Sequence, residues 1–294
     1  MRVAVTGTSG RVGAALARHF STRHEVIPLL RKSCDLADSA SLARALGRLD
    51  CDVFLHPAAI TSLEACEDDP ALAMQVNAEA PGTIAAWAAA RGVPVCYFST
   101  DYVFGGLGHE LCKETDIPEP LSVYGRSKLA GERAMLADSK NCVIRVSWVF
   151  GPEKPSFVDQ IFAAAVAGRP LAAIADKFSL PVFTGDLAVW TEQLILAGTS
   201  GTVHACNSGE PTSWHGMALS VVEKMAACGI LKCTPTVTEQ RLAEMTSFRA
   251  ARPRFTALDT RRLTGILSHQ PRPWRDALAE YVRFLAVRET GSAP

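Results

Sequence analysis

Tyr124 and Lys128, in the run Tyr124-Gly125-Arg126-Ser127-Lys128, stand four residues apart. In a helix that spacing sets a phenol and an ammonium on one face. A neighbouring cation favours the phenolate, so the tyrosine pKa is expected to fall and Tyr124 to serve as proton donor and acceptor near neutrality. Lys128 can also hydrogen-bond the ribose of a nicotinamide nucleotide. Taken alone, the pair also reads as an exposed tyrosine with an incidental helix lysine.

A second run has a different use. Thr6-Gly7-Thr8-Ser9-Gly10-Arg11-Val12-Gly13 follows an apolar segment directly and opens an amphipathic one, with glycine at 7, 10 and 13. Between a strand and a helix such a turn suits a dinucleotide pyrophosphate, because backbone approaches closely and the N–H groups and dipole of the new helix face the anion. The turn from Gly7 to Gly13, with Ser9, Arg11 and Val12, is therefore the candidate cofactor cradle; a plain strand-to-helix turn is the alternative. At the end of the second strand, where an acid would hold a ribose 2′-hydroxyl, the chain reads Leu29-Leu30-Arg31-Lys32. Two cations there favour a 2′-phosphate, hence NADP(H) over NAD(H), unless they belong to a solvated loop.

The elements that must position these residues are legible as alternation. Apolar, β-branched runs at Arg2–Thr6, Glu25–Leu30, Asp52–His56, Pro94–Ser99 and Cys142–Val146 read as buried parallel strands. Helical spacing fills Val12–Phe20, Ser39–Leu49, Pro70–Arg91 and Val123–Asp138 between them. The pattern predicts an α/β fold, a doubly wound parallel sheet of Rossmann type over residues 1–151. Prolines punctuate shorter segments after Gly151-Pro152, so 152–294 is expected to form a smaller α/β region that mainly binds substrate, with some segments free to return to the sheet. No low-complexity segment precedes the short tail Gly291–Pro294.

Composition narrows the function further. Thirty basic residues balance thirty acidic ones, which offers no electrostatic handle for nucleic acid or a membrane surface. Apolar stretches such as 161–167 are too short to span a bilayer. The first strand begins at once, without a leader-like segment, and a cytoplasmic location is expected. Nine cysteines, odd in number and without C-x-x-C spacing, read as reduced thiols. Cys228 and Cys233 lack the partners a zinc site needs, and no metal is expected.

Four motifs go beyond these general patterns: Ser99-Thr100-Asp101-Tyr102-Val103-Phe104-Gly105-Gly106, Glu114-Thr115-Asp116, Tyr124–Glu132, and Arg145-Val146-Ser147-Trp148-Val149-Phe150-Gly151. With Asn77, Pro211–Trp214, Arg252-Pro253 and Leu258-Asp259 they span nearly the whole chain, which resembles the dTDP-4-dehydrorhamnose reductase family of extended short-chain dehydrogenases/reductases. The resemblance implies reduction of a ketone on a nucleotide-linked 4-keto-6-deoxy sugar, and leaves a homodimer open. It implies that Thr100 hydrogen-bonds the substrate carbonyl, Tyr124 donates the proton and Lys128 is its cationic partner. Asp101, Tyr102 and Trp148 become candidate substrate contacts. Asp35 and Leu36 are placed near the adenine, Ala58 and Ala59 near the diphosphate and ribose, and Asn77 with the cofactor in support of the site. The chain departs from the family pattern at Asp176–Val182, where Lys177 replaces glutamine, at Ser156-Phe157, where an asparagine is missing, and at Ala14-Ala15, where some members carry glutamate for magnesium. The resemblance also admits a non-catalytic branch, typified by the regulatory β subunit of methionine adenosyltransferase, and sugar-nucleotide epimerases and dehydratases. For the dehydratases, Tyr102 stands in place of the expected glutamate.

Overall fold

A computed structural model describes residues 1–291; the end of the tail, 292–294, lies outside them. Strands β1 (Arg2–Thr6), β2 (Glu25–Leu29), β3 (Val53–His56), β4 (Val95–Thr100) and β5 (Cys142–Val146) form a parallel sheet. A sixth strand, Gly201–His204, joins beyond β5, giving the spatial order Gly201–His204, β5, β4, β3, β1, β2. This is the expected doubly wound sheet. Its order reverses between β1 and β3, and the crevice beyond those carboxyl ends is where such sheets bind ligands.

Both faces of the sheet are covered, which explains why its strands read as continuous apolar runs. Successive side chains point to opposite faces. Val3 and Val5 pack with Leu16 and Phe20 of α1 (Arg11–Phe20), while Ala4 packs with Leu42 and Leu46 of α2 (Ser39–Gly47). Complete burial of Leu16 and Phe20 contributes about 1.5–3 kcal/mol each.

The single helix expected over 70–91 is broken into three. After α3 (Leu63–Asp68) come α4 (Pro70–Met74), a π-turn at Gln75–Glu79, and α5 (Ala80–Arg91). Pro81 has no N–H to give Asn77's carbonyl; the buried Tyr97 hydroxyl donates to that oxygen instead, at 3.0 Å. Helix α6 (Val123–Met135) lies beside this break.

Beyond the short strand Val149–Phe150, α7 (Phe157–Val166) packs against the long helix Trp214–Ala227, which also packs on the C-terminal helix Trp274–Thr290. A second apolar core forms there, around Phe162, Met217, Val221 and Trp274. Helix α8 (Thr184–Leu196) leaves this core to pack against α1, and leads into the strand Gly201–His204. The sheet is thus completed by residues from the C-terminal half. Among the described residues no helix is long and apolar enough to cross a membrane.

Candidate active site

The glycine turn does what its spacing requires. Gly10 N–H donates to the Gly7 carbonyl at 2.8 Å. A Cβ on Gly13 would lie 2.1 Å from the same oxygen, so only glycine lets α1 start this close to β1. Gly10 caps α1 without a side-chain hydrogen bond, and no acidic residue occupies the first turn. The opening N–H groups and the positive end of the helix dipole are left to an anion. Arg11 is anchored elsewhere: its guanidinium donates to the carbonyls of Lys154 and Pro155, at 3.2 and 2.6 Å, and ties α1 to the loop beneath α7.

The chemical cluster forms where β4 ends. Thr100 closes that strand and Asp101–Val103 make a 3₁₀ turn, with Tyr102 N–H donating to the Thr100 hydroxyl at 3.2 Å. Ser122 caps α6, accepting from Gly125 N–H at 3.2 Å. A Cβ at Gly125 would come within 2.3 Å of the Tyr102 carbonyl. The glycine therefore lets α6 press onto the 3₁₀ turn and brings Tyr124 to Thr100. The Tyr102 and Tyr124 rings meet edge to face at 6.0 Å. Two turns further along, the buried carboxylate of Glu132 receives Nε and Nη2 of Arg145 at 2.9 and 2.7 Å, fixing α6 to β5.

Burial, rather than the Tyr124–Lys128 pairing, dominates the electrostatics. The Tyr124 hydroxyl is pushed above its ordinary pKa by desolvation, with its hydrogen bond to Thr100 working the other way. This reverses the downward shift that the sequence leads one to expect. Lys128, 1% exposed, is itself lowered to about 7 by burial, with Glu132 opposing. Among the described residues its Nζ has no hydrogen-bond partner, and it lies 3.9 Å from the centroid of the Tyr97 ring. A lysine that has lost part of its charge stabilises a phenolate little.

One cavity of about 820 Å³ joins these parts. Gly7, Ser9, Gly10, Arg11, Val12 and Gly13 line one stretch, Arg31, Asp35 and Leu36 one end, and Ala58 and Ala59 the wall between. Thr100, Asp101, Tyr102, Tyr124, Lys128 and Trp148 line the other end. Two candidates are not brought to it. Lys32 is exposed and outside the lining. Asn77 is fully buried behind it, its carboxamide exchanging hydrogen bonds with Ile60 N–H and carbonyl at 2.9 and 3.0 Å and donating to Ser127 at 3.0 Å. Asn77 thus braces the loop after β3 against α6 rather than facing the cavity.

The substrate-side candidates differ in freedom. Asp101 lines the cavity, yet its carboxylate already receives hydroxyls of Thr100 (3.1 Å), Ser147 (2.8 Å) and Thr256 (2.5 Å). Trp148 adopts φ 45°, the left-handed region a bulky residue rarely enters. Its ring packs against Phe157 and Trp214 at 5.8 and 6.1 Å. Lys177 does not reach solvent: it is 3% exposed, with Nζ 5.0 Å from the Tyr102 ring centroid.

The sequence reading missed Ile60, Ser99, Lys154 and Phe157, which also line the cavity. Ser99 was visible as the neighbour of Thr100 at a strand end. Phe157 starts α7 beside Ser156, where the family pattern's asparagine is missing, while Ile60 and Lys154 lie in loops where nothing local marks them. Taken together, uncapped helix N–H groups, a turn with no room for Cβ, and an orphaned buried ammonium at the far end of one elongated cavity fit a dinucleotide.

The family model described as "RmlD substrate binding domain" matches residues 1–287. A dTDP-4-dehydrorhamnose reductase of Burkholderia thailandensis is 33% identical over 298 residues, covering 97% of this chain and 99% of that protein. A crystal structure of a dTDP-4-dehydrorhamnose reductase from Clostridium acetobutylicum superposes with a TM-score of 0.89 at 27% identity, over 97% of this chain and 100% of the other. The corresponding enzyme from Bacillus anthracis, solved in complex with NADP, gives 0.87 at 26% identity, over 97% and 99%.

Proposed function

This chain belongs to the RmlD substrate binding domain family, and on that premise we propose that it is an NAD(P)-dependent reductase of a nucleotide-linked 4-keto-6-deoxy sugar, with dTDP-4-dehydrorhamnose the leading substrate and NADP(H) the preferred cofactor. The observation that carries this reading is the meeting of Thr100, Tyr124 and Lys128 at the end of β4, in the same cavity as the anion-binding turn of α1. The reductases similar to this chain, one of them solved with NADP, support it.

A nicotinamide cofactor held in this cavity would supply the hydride. The chain's own residues do the rest. Thr100 offers its hydroxyl to the substrate carbonyl, and Tyr124 donates its proton to the oxygen as negative charge develops there. A phenol whose pKa burial has raised keeps that proton until the carbonyl oxygen becomes basic enough to take it. Lys128 offers its unpartnered Nζ to the ribose hydroxyls, and the start of α1 receives the diphosphate. Arg31, 84% exposed, would meet a 2′-phosphate at the adenine end; among the described residues its ion-pair partner is Asp35, at 3.5 Å. Trp148 and Phe157 wall the sugar.

The test is NADPH oxidation with a panel of dTDP-, UDP- and GDP-linked 4-keto sugars. Turnover is expected, fastest with the dTDP-linked sugar, and far slower with the free sugar, which lacks the remote binding energy of base and diphosphate. Tight dinucleotide binding with no turnover on any of them would overturn the reading in favour of a regulatory protein.

A further inference from the structure

Three buried polar atoms beneath the site have no hydrogen-bond partner among the described residues: Nε2 of His56, the hydroxyl of Ser99 and Nζ of Lys128. Their residues are 0%, 3% and 1% exposed. They come from the carboxyl ends of β3 and β4 and from α6; the ring of Tyr97 lies against His56 and Lys128, and Ser99, two residues along β4, is on the same face of the strand as Tyr97. The Tyr97 centroid lies 5.7 Å from the His56 ring and 3.9 Å from Nζ of Lys128. A bound dinucleotide accounts for the orphaned lysine, but not for His56, which is outside the cavity lining.

We propose that His56 is a positioning residue for Lys128, presenting its Nε2 lone pair, together with the Ser99 hydroxyl, to the ammonium through one bridging water. Its other nitrogen, Nδ1, lies 2.8 Å from the Thr6 hydroxyl oxygen, which also accepts from Ala58 N–H at 3.3 Å; the tautomer proposed carries its proton on Nδ1. A proton on Nδ1 uses the oxygen's second lone pair and leaves Nε2 as an acceptor. The opposite tautomer would aim an N–H at a buried cation. Burial, and then Lys128, hold the His56 pKa down to about 3, so the ring stays neutral over the working range. Other groups facing Lys128 do not supply an acceptor. Glu132 on α6 is committed to Arg145 of β5, the Tyr97 hydroxyl of β4 donates to the Asn77 carbonyl, and Tyr124 lies one turn back on α6 toward Thr100. A buried water with two or three polar partners is ordinarily retained.

The inference rests on the role of Lys128 in the proposed reaction, yet its test needs no substrate. Nitrogen-15 lysine NMR of the full chain without cofactor, with the Lys128 signal assigned through Lys128→Met, reads the lysine's proton affinity directly. His56→Phe keeps the ring volume and removes the acceptor, and should lower that affinity about tenfold. His56→Gln, whose Oε1 can occupy the Nε2 position, should restore it, and Ser99→Ala should lower it by a smaller factor. The alkaline limb of the kcat profile should move to lower pH in His56→Phe and not in His56→Gln. An unchanged Lys128 titration in folded His56→Phe overturns the proposal, as does His56→Gln behaving like His56→Phe. If His56→Phe does not fold, an unshifted Lys128 in Ser99→Ala overturns it equally. Failure of the sugar panel leaves this titration standing, and failure of the titration leaves the panel's result standing.

Discussion

At the scale of single residues, the site holds a phenol that burial keeps protonated and a lysine that burial brings to about 7. Tyr124→Phe removes the proposed acid while keeping the ring and its edge-to-face contact with Tyr102. Turnover should fall by about 10²–10⁴-fold, the usual cost of a lost general acid, with dinucleotide affinity unchanged by calorimetric titration. Retained turnover would exclude Tyr124 as the donor. At the other end of the cavity Arg31 is 84% exposed and paired only loosely with Asp35, so it is free to meet a phosphate. NADPH should bind more tightly than NADH, and Arg31→Ala should narrow the gap. Equal or stronger NADH binding by the unaltered protein would contradict the assignment.

At the scale of elements, α6 is the part on which the proposed chemistry depends. Three devices fix its position: the Ser122 cap, the close approach at Gly125, and the bidentate Glu132–Arg145 pair, whose side chains are 1% and 5% exposed. Breaking a buried pair leaves an uncompensated charge, so Glu132→Ala should cost about 3–5 kcal/mol in a denaturant titration. Because Lys128 is one turn away, activity should fall even where the variant remains folded. A loss below about 1 kcal/mol, the range of exposed pairs, would mean that α6 is held by packing alone.

For the whole molecule, the sheet carries buried histidines at the carboxyl ends of two strands, His56 on β3 and His204 on Gly201–His204. Burial, assisted by Lys128 and Arg145 respectively, depresses both from 6.5 to about 3. Each is neutral in the folded state and charged in the unfolded chain below 6.5, so the unfolded state binds more protons between those values. Stability is therefore intact above about pH 6.5 and is lost as pH falls toward 3, at up to about 1.4 kcal/mol per pH unit for each histidine. Urea titrations at pH 7, 6 and 5 should show a decline, reduced in His204→Gln. An identical pH dependence in that variant would remove His204 from the account.

The sequence by itself determined what is local. β1 and β5 occupy the segments their apolar runs mark, the glycines of Gly7–Gly13 sit where backbone leaves no room for Cβ, and Tyr124 and Lys128 share a face of α6 because four residues make about one helical turn. Tertiary structure decided what depends on distant segments. Asp101 is tied to Thr256, 155 residues away, and the sixth strand comes from Gly201–His204, beyond the region whose alternation announced a sheet. Asn77 faces the protein instead of the cavity because Pro81 opens a π-turn whose freed carbonyl Tyr97 caps. Lys177, where the family pattern has glutamine, is buried with its ammonium 5.0 Å from the Tyr102 ring centroid. The sign of the Tyr124 shift belongs here as well. Spacing places a cation beside a phenol, but desolvation by the surrounding chain sets how much charge that cation keeps.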